Sequence, residues 1–490
     1  MTELLIDVDR LEDLSNLERE KLRELFNVYE YHRSKNELKN KYYEGHISLA
    51  EVNLGIALPQ TLRGLEIGCS WGAKTVDVLA ARSMFDGFVD MNGGEVGELT
   101  EIVEDNRFLS EYIKACRDEL KYGSTFATLS WDRSKKCKIR FHSPQSAAAL
   151  WNGELGRVDC GFAIIDSTPD ESMEMLWRPS LINYYTDNDI IVFQRIDEEW
   201  TTIRYPHQMG RPLMEPLIWN ATSDKPFGRS RIKEPVRRLI QGYVRTIANA
   251  TIGLEFATSP QKYLLGITDE QYDVVINQKF KQYVGSILAS TTNPETGEKP
   301  VFGQLPQGNI SPHVEMIRVL ATQFSAATGL TVSDTGVVND ANPTSSDAIL
   351  AQTQTLVAMA EQLNAGNGNS LKTIGLMAMA IANNTSVEGL SDEQKNIIPH
   401  FKNPAMPSVA VTADAAIKIA SARENFASTD TFLEMIGFDQ ADIRRIKAQE
   451  QRARGQMLLL EMTGVEESGQ NQEEQNPAAA EVTSDEDITE

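Results

Sequence analysis

A chain of 490 residues with 41% hydrophobic content has room for two to four domains and at least one sizeable core. Its 47 Lys plus Arg stand against 70 Asp plus Glu, a net charge of −23. That argues against a free-standing nucleic-acid-binding module, which needs cations to neutralise phosphate. Cys69, Cys116, Cys137 and Cys160 show no C-x-x-C spacing. Neither a disulfide framework nor a zinc site is favoured, and a reducing compartment fits best. No signal segment opens the chain, and the apolar stretch Leu371 to Ala382 is far too short to cross a bilayer. A soluble, cytosolic protein without membrane contact is expected.

Residues 2 to 44 read as helical, with Leu14, Leu17, Leu22, Leu25 and Phe26 at helical spacing among alternating charges. A second helix is predicted over 100–120. From Ser124 to Asn220 the pattern changes to short β-rich runs at 125–129, 138–141, 158–165, 190–195 and 201–205. Turn-forming residues such as Thr186-Asp187-Asn188-Asp189 separate them. This predicts an α+β domain with a meandering antiparallel sheet.

The turn Pro226-Phe227-Gly228-Arg229-Ser230 leads into an amphipathic helix from Pro235, with Val236, Leu239, Ile240, Tyr243, Val244 and Ile247 as one stripe. Arg231, Arg238 and Arg245 repeat every seven residues on a face of their own, and together with Arg229 and Arg237 they suit either nucleic acid or a solvated face or salt bridges to a neighbouring subunit. Short strands are expected at 262–267 and 301–305, around the turn Asn293 to Gly297, before a second helix opening at Ser311-Pro312. Leu330 to Pro343 reads as a loop. Thr344-Ser345-Ser346-Asp347 has capping-box form before a helix, and Asn364 to Asn369 predicts a turn into another helix ending near Asn383. The chain is helical again over 411–455, broken at Gly437. Residues 465 to 490 hold nine acids and no Lys or Arg, which predicts a disordered tail.

One stretch suggests an enzyme. Gly64-Leu65-Glu66-Ile67-Gly68-Cys69-Ser70-Trp71-Gly72 is similar to the glycine loop of S-adenosylmethionine-dependent methyltransferases, with Phe88-Val89-Asp90 where an acidic ribose ligand would follow. Ser70 replaces the middle glycine, however, and no catalytic N-P-P-[YF] or D-P-P-[YF] loop appears. The six histidines are scattered without H-x-x-x-H spacing, and neither a G-x-S-x-G elbow nor a phosphate-binding G-x-x-x-x-G-K-[ST] loop is present. No catalytic residue, metal ligand or cofactor is therefore assigned.

The order of the remaining motifs resembles the portal proteins of tailed bacteriophages, in particular those of long-tailed phages. Tyr42-Tyr43-Glu44-Gly45-His46 looks like the family's Y-Y-x-G. Trp71, Val76-Asp77, Arg82 and Asp86-Gly87-Phe88 look like its W…V-D…R…G-F run, which turns the methyltransferase-like segment into a helix packing a sheet with Trp71 in the core. Pro226 to Ser230 resembles its P-x-G-x-S turn, and Pro343 to Ile349 its P-[ST]-S-x-x-A-[IL] helix start. Asp414-Ala415 and Leu433 to Gly437 resemble its crown segment.

The resemblance implies an α+β portal fold: an α/β wing with an antiparallel sheet, a helical stem, a small β-containing clip and a helical crown. It places an acidic N-terminal arm at 1–24, the wing at 25–226, the first stem helix at 227–253, the clip at 254–310, the second stem helix at 311–328, a tunnel loop at 329–343, wing helices at 344–384, the crown at 385–460 and the acidic tail at 461–490. It also implies a non-enzymatic dodecamer at one capsid vertex, assembled in the host cytoplasm, through which double-stranded DNA passes inward in packaging and outward in ejection. Its partners would be the terminase large subunit, major capsid and scaffolding proteins, and head-completion or adaptor proteins. Net negative charge suits sliding DNA. The loop carrying Asp334, Asn339, Asp340 and Asn342, with no Lys or Arg, is expected to line the narrowest part of the channel. The alternatives are the methyltransferase and a head–tail adaptor ring.

Overall fold

The computed structural model describes residues 6–48, 66–91, 93–94, 96–169, 177–196, 199–258, 262–266, 297, 299, 301–304, 309–337, 346–405, 409–423, 425–438 and 440–463. The chain divides into two compact units, Met1–Met406 and Pro407–Glu490.

The first unit opens with a short 3-10 turn, Val8–Arg10, and the helix α1 (Asn16–Glu44), whose N-terminus is closed by a capping box between Ser15 and Glu18. The sequence expectation of continuous helix from residue 2 is thus shortened, because Ser15 satisfies the first free N–H groups and stops the helix there. Strands β1 (His46–Ser48) and β2 (Glu66–Gly68) pair with each other, α2 spans Trp71–Ala80, and β3 is Phe85–Val89. The expected single helix over 100–120 is two, α3 (Gly97–Asp105) and α4 (Phe108–Tyr122). Between them Arg107 adopts φ 49°, left-handed geometry that a helix interior does not tolerate.

All five strands expected between Ser124 and Asn220 form. They are β4 (Ser124–Trp131), β5 (Cys137–His142), β7 (Arg157–Pro169), β9 (Asp189–Ile196) and β10 (Glu199–Pro206), joined by β6 (Ala147–Asn152), β8 (Trp177–Tyr185) and β11 (Met214–Ile218). They make a five-stranded antiparallel sheet in the order β10-β9-β8-β7-β6 and a three-stranded one in the order β11-β4-β5. The meander predicted from the β-rich runs is therefore present, split into two sheets.

One face of the larger sheet is covered by α1 and the segment before it. Ala148, Phe162, Tyr184 and Ile191 form one cross-strand row, buried with Leu11, Leu14, Leu22, Leu25 and Phe26. Arg204 on β10 fixes this cover by bonding Glu18 Oε1 at 3.0 Å and the Asp13 carbonyl at 2.7 Å. The other core gathers α2, α4, the smaller sheet and three later helices. These are α5 (Glu234–Thr258), α6 (Ser311–Thr328) and α7 (Ser346–Ala382).

Between α5 and α6, β12 (Lys262–Leu265) pairs with β13 (Val301–Gln304). The predicted turn at 293–297 lies outside the described residues except Gly297. Helix α7 runs without a break through Asn364 to Asn369, where the sequence predicts a turn. The reason is tertiary: Asn367 is fully buried and donates to Tyr112 Oη at 3.1 Å and Glu119 Oε2 at 2.8 Å, while Asn364 accepts from Ser83 Oγ at 2.6 Å. Interior partners remove the usual reason for asparagine to leave a helix.

After α7 the short helix α8 (Asp392–Lys395) precedes β14 (Ile398–Phe401), which pairs antiparallel with β3. Residues 385–405, expected in a helical crown, thus belong to the first unit. The second unit contains α9 (Val409–Ala422), α10 (Asp430–Ile436) and α11 (Gln440–Thr463), with the predicted break at Gly437 in left-handed geometry. Residues 464–490 lie outside the described residues. Among the described residues no helix is long and apolar enough to cross a membrane.

Candidate functional site

The helix pair α5–α6 and the turn that follows it are assembled from four separate parts of the chain. The approach is the Pro226–Ser230 turn. Gly228 sits at φ +69°, and a Cβ there would meet the Trp219 carbonyl oxygen at 2.1 Å, so only glycine fits. The turn is stitched to the end of α4: Ser230 Oγ donates to the Lys121 carbonyl at 2.5 Å and the Arg231 amide to the Leu120 carbonyl at 2.9 Å. These are carbonyls that a helix end leaves without intrahelical partners.

Helix α5 then starts at Glu234, with Pro235 in its first turn as predicted. Its buried stripe is Val236, Ile240, Val244 and Ala248. Opposite lies α6, with Leu320, Ala321 and Phe324 buried. Helix α6 ends on Gly329 at φ +73°. The chain turns through a 3-10 segment, Ser333–Thr335. Asp334 Oδ2 accepts from the Thr331 amide and hydroxyl, each at 2.8 Å.

Arg231 lies before the helix rather than on it, so the expected seven-residue arginine face begins only at Arg238. It is 7% exposed. Its Nε donates to the Thr75 carbonyl on α2 and its terminal nitrogen to the Thr328 carbonyl on α6, both at 2.6 Å. Burial pushes the Arg231 guanidinium down to about 10. Expected to face nucleic acid or a neighbour, Arg231 instead ties three elements of its own chain together. Arg238 is exposed, with an i,i+4 pair to Glu234 at 3.3 Å, and Arg245 is half-buried. The structure does not bring the three together. Of the expected channel residues, Asp334 is described, whereas Asn339, Asp340 and Asn342 lie outside the described residues.

Trp71, at the start of α2, completes the junction. Its ring centroid is 4.4 Å from that of Tyr243 on α5 and 4.7 Å from that of Phe324 on α6, and its Nε1 donates to the Thr335 carbonyl at 3.1 Å. It is a core residue as expected, but it packs on helices rather than on a sheet. Nothing in the sequence signals this contact, since the partners lie far downstream.

The same region answers the methyltransferase alternative. Strand β2 has three residues and pairs antiparallel with β1, with no parallel partner among the described residues. A Cβ on Gly72 would lie 1.9 Å from the Tyr42 carbonyl oxygen. The close approach that glycine permits is thus filled by the chain's own backbone. Asp90 Oδ1 accepts from the Gly94 amide at 2.7 Å, closing a local turn.

A family model described as "Phage portal protein, SPP1 Gp6-like" matches residues 14–456. The chain belongs to this family. It is accordingly a structural bacteriophage protein of the portal, or head–tail connector, class. Among solved structures it is similar to a chain of the neck of an empty GTA particle computed with C6 symmetry. That match has TM-score 0.42 and 12% identity, covering 72% of this chain and 86% of that one. It is also similar to a chain of the neck of a native GTA particle computed with C12 symmetry, with TM-score 0.42 and 13% identity over 75% and 89%. No curated protein matches.

Proposed function

We propose that copies of this chain close into a dodecameric ring at one capsid vertex and form the channel through which double-stranded DNA passes in packaging and ejection. The observation that carries this reading is the family match over 14–456. The α5–α6 pair supports it physically: on α6, Val314, Met316 and Val319 remain 43 to 47% exposed. Apolar side chains left exposed on more than one side of a helix are covered economically by identical neighbours under closed rotational symmetry.

On this reading α5 and α6 are the stem, β12 and β13 belong to the clip, and residues 25–226 with α7 form the wing. The helical crown begins after Met406. The loop 329–343 lines the constriction. Asp334 shapes its first turn, and the absence of Lys and Arg keeps it from gripping phosphate. The terminase large subunit docks on clip and stem during packaging and head-completion proteins follow. Capsid and scaffolding proteins meet wing and crown.

Electron microscopy of the purified protein tests this: rings of roughly a dozen subunits are expected, and a monomer at all concentrations would overturn it. Arg238→Ala with Arg245→Ala separates two roles within it. Intact rings with altered DNA packaging assign these arginines to DNA, and loss of rings assigns them to the subunit interface.

A further inference from the structure

One face of α1 gathers cations in a chain of net charge −23. At about 100° per residue, His32, Lys35 and Lys39 share an arc of about 60° along about 10 Å of helix. Lys39 is half-buried. Its Nζ donates to Asn36 Oδ1 at 3.1 Å and to the Tyr122 carbonyl at the end of α4 at 2.9 Å, both neutral acceptors. One turn further on, the guanidinium of Arg237 on α5 lies 5.9 Å from the ring centroid of Tyr42. In the other direction, Lys35 Nζ lies 3.6 Å from the ring centroid of Tyr31, which is 66% exposed.

These like charges act on one another. Burial first, then the charges of Arg237 and Lys35, pushes the Lys39 ammonium down to about 8. The hydrogen bond and charge of Lys35, and further the charge of Lys225, hold the Tyr31 hydroxyl below its ordinary value. Nearby acids are taken by other cations: Glu30 and Glu37 by Arg33, Asp118 by Lys121, Asp224 by Arg229 and Glu234 by Arg238. Among the described residues no carboxylate pairs with Lys35, Lys39, Lys225 or Arg237. An anion from outside the chain would relieve the repulsion. A lone carboxylate brings one charge, whereas free phosphate brings close to two, and a nucleic-acid strand repeats its phosphates along its length. We propose that the face formed by Lys35, Lys39, Lys225 and Arg237 binds phosphate, either free or in a nucleic-acid backbone. The proposal does not depend on the channel reading.

The full-length protein is labelled at pH 8 with acetic anhydride, which reacts with unprotonated amines, and acetylation of Lys39 is followed by mass spectrometry. An anion on the cluster returns the ammonium towards the ordinary lysine range. Inorganic phosphate is therefore expected to slow Lys39 labelling about tenfold relative to chloride at equal ionic strength, with the exposed Lys74 unchanged. A short DNA duplex is the second probe. Protection by duplex alone assigns backbone phosphate, by free phosphate alone the small ion, and by both the phosphate group itself. Lys35→Gln with Lys225→Gln removes two exposed charges and keeps the bonds of Lys39. It should raise the concentration needed for half-protection about fivefold. Labelling of Lys39 that neither probe slows would overturn the proposal, as would protection undiminished in the double variant. So would labelling that rises on dilution with no probe present, which would give the face to carboxylates of a second copy.

Discussion

The indole Nε1 of Trp71 donates to the carbonyl of Thr335 at 3.1 Å, across 264 residues of sequence. The same ring contacts Tyr243 and Phe324. One side chain at the head of α2 therefore touches both helices of the pair and the turn that leaves them.

Replacing Trp71 by Phe keeps an aromatic ring but removes the donor, leaving the Thr335 carbonyl short of its partner. A loss of about 1 to 2 kcal/mol is expected, and Trp71→Ala should lose about 3 to 5 kcal/mol through the cavity it leaves. Urea denaturation measures both, and a Phe variant as stable as wild type would show that the hydrogen bond contributes nothing.

Two arginines of one sequence repeat should behave oppositely. Arg231→Ala removes its bonds to the Thr75 and Thr328 carbonyls, leaves the Thr328 carbonyl at the end of α6 without that partner, and should cost about 2 to 3 kcal/mol. Arg238→Ala removes an exposed i,i+4 pair and should change stability by less than about 0.5 kcal/mol. Thermal melts of the two variants side by side decide the matter.

Glu119 is fully buried on α4, and burial pushes its carboxyl up to about 8, partly offset by the hydrogen bond from Asn367. Among the described residues its Oε1 and Asn367 Oδ1 both lack a hydrogen-bond partner, an arrangement that a proton on Glu119 relieves. Because the folded value lies above the unfolded one, the folded state holds the proton more tightly. Stability is then greatest below the unfolded carboxyl range and falls as pH rises towards about 8. Glu119→Gln should flatten this dependence, so the variant gains on wild type from pH 5 to pH 8. Parallel denaturation curves across that range would refute the assignment.

Gly72 and Gly68 distinguish packing from cofactor binding. Ala at 72 would meet the Tyr42 carbonyl oxygen at 1.9 Å, while a Cβ at 68 meets nothing within 4 Å. Gly72→Ala should therefore destabilise strongly and Gly68→Ala hardly at all, read from soluble yield and melting temperature. A glycine loop cradling a cofactor would need both positions.

Much of this architecture was legible in the sequence because it is locally encoded. β-rich runs bounded by turn-forming residues gave the five strands between Ser124 and Asn220, Pro235 and Pro312 marked the starts of two helices, and Gly437 marked a helix end. Local rules failed where distant partners decide. Asn364 to Asn369 reads as a turn, but Tyr112, Glu119 and Ser83 satisfy its side chains and the helix continues. Residues 398–401 lie in a stretch read as helical crown, but β3 supplies them with a strand partner.

By itself the sequence determined the α+β class, the order of the elements and, through that order, the resemblance to a phage portal. These follow from periodicity and turn chemistry, which act over a few residues. Only the tertiary structure decided that Arg231 bonds α2 and α6 instead of facing outward, and that Trp71 joins the helix pair to the turn at Thr335. Both depend on carbonyls and rings brought within hydrogen-bond or stacking distance from about 100 to 260 residues away, and no local pattern carries that information.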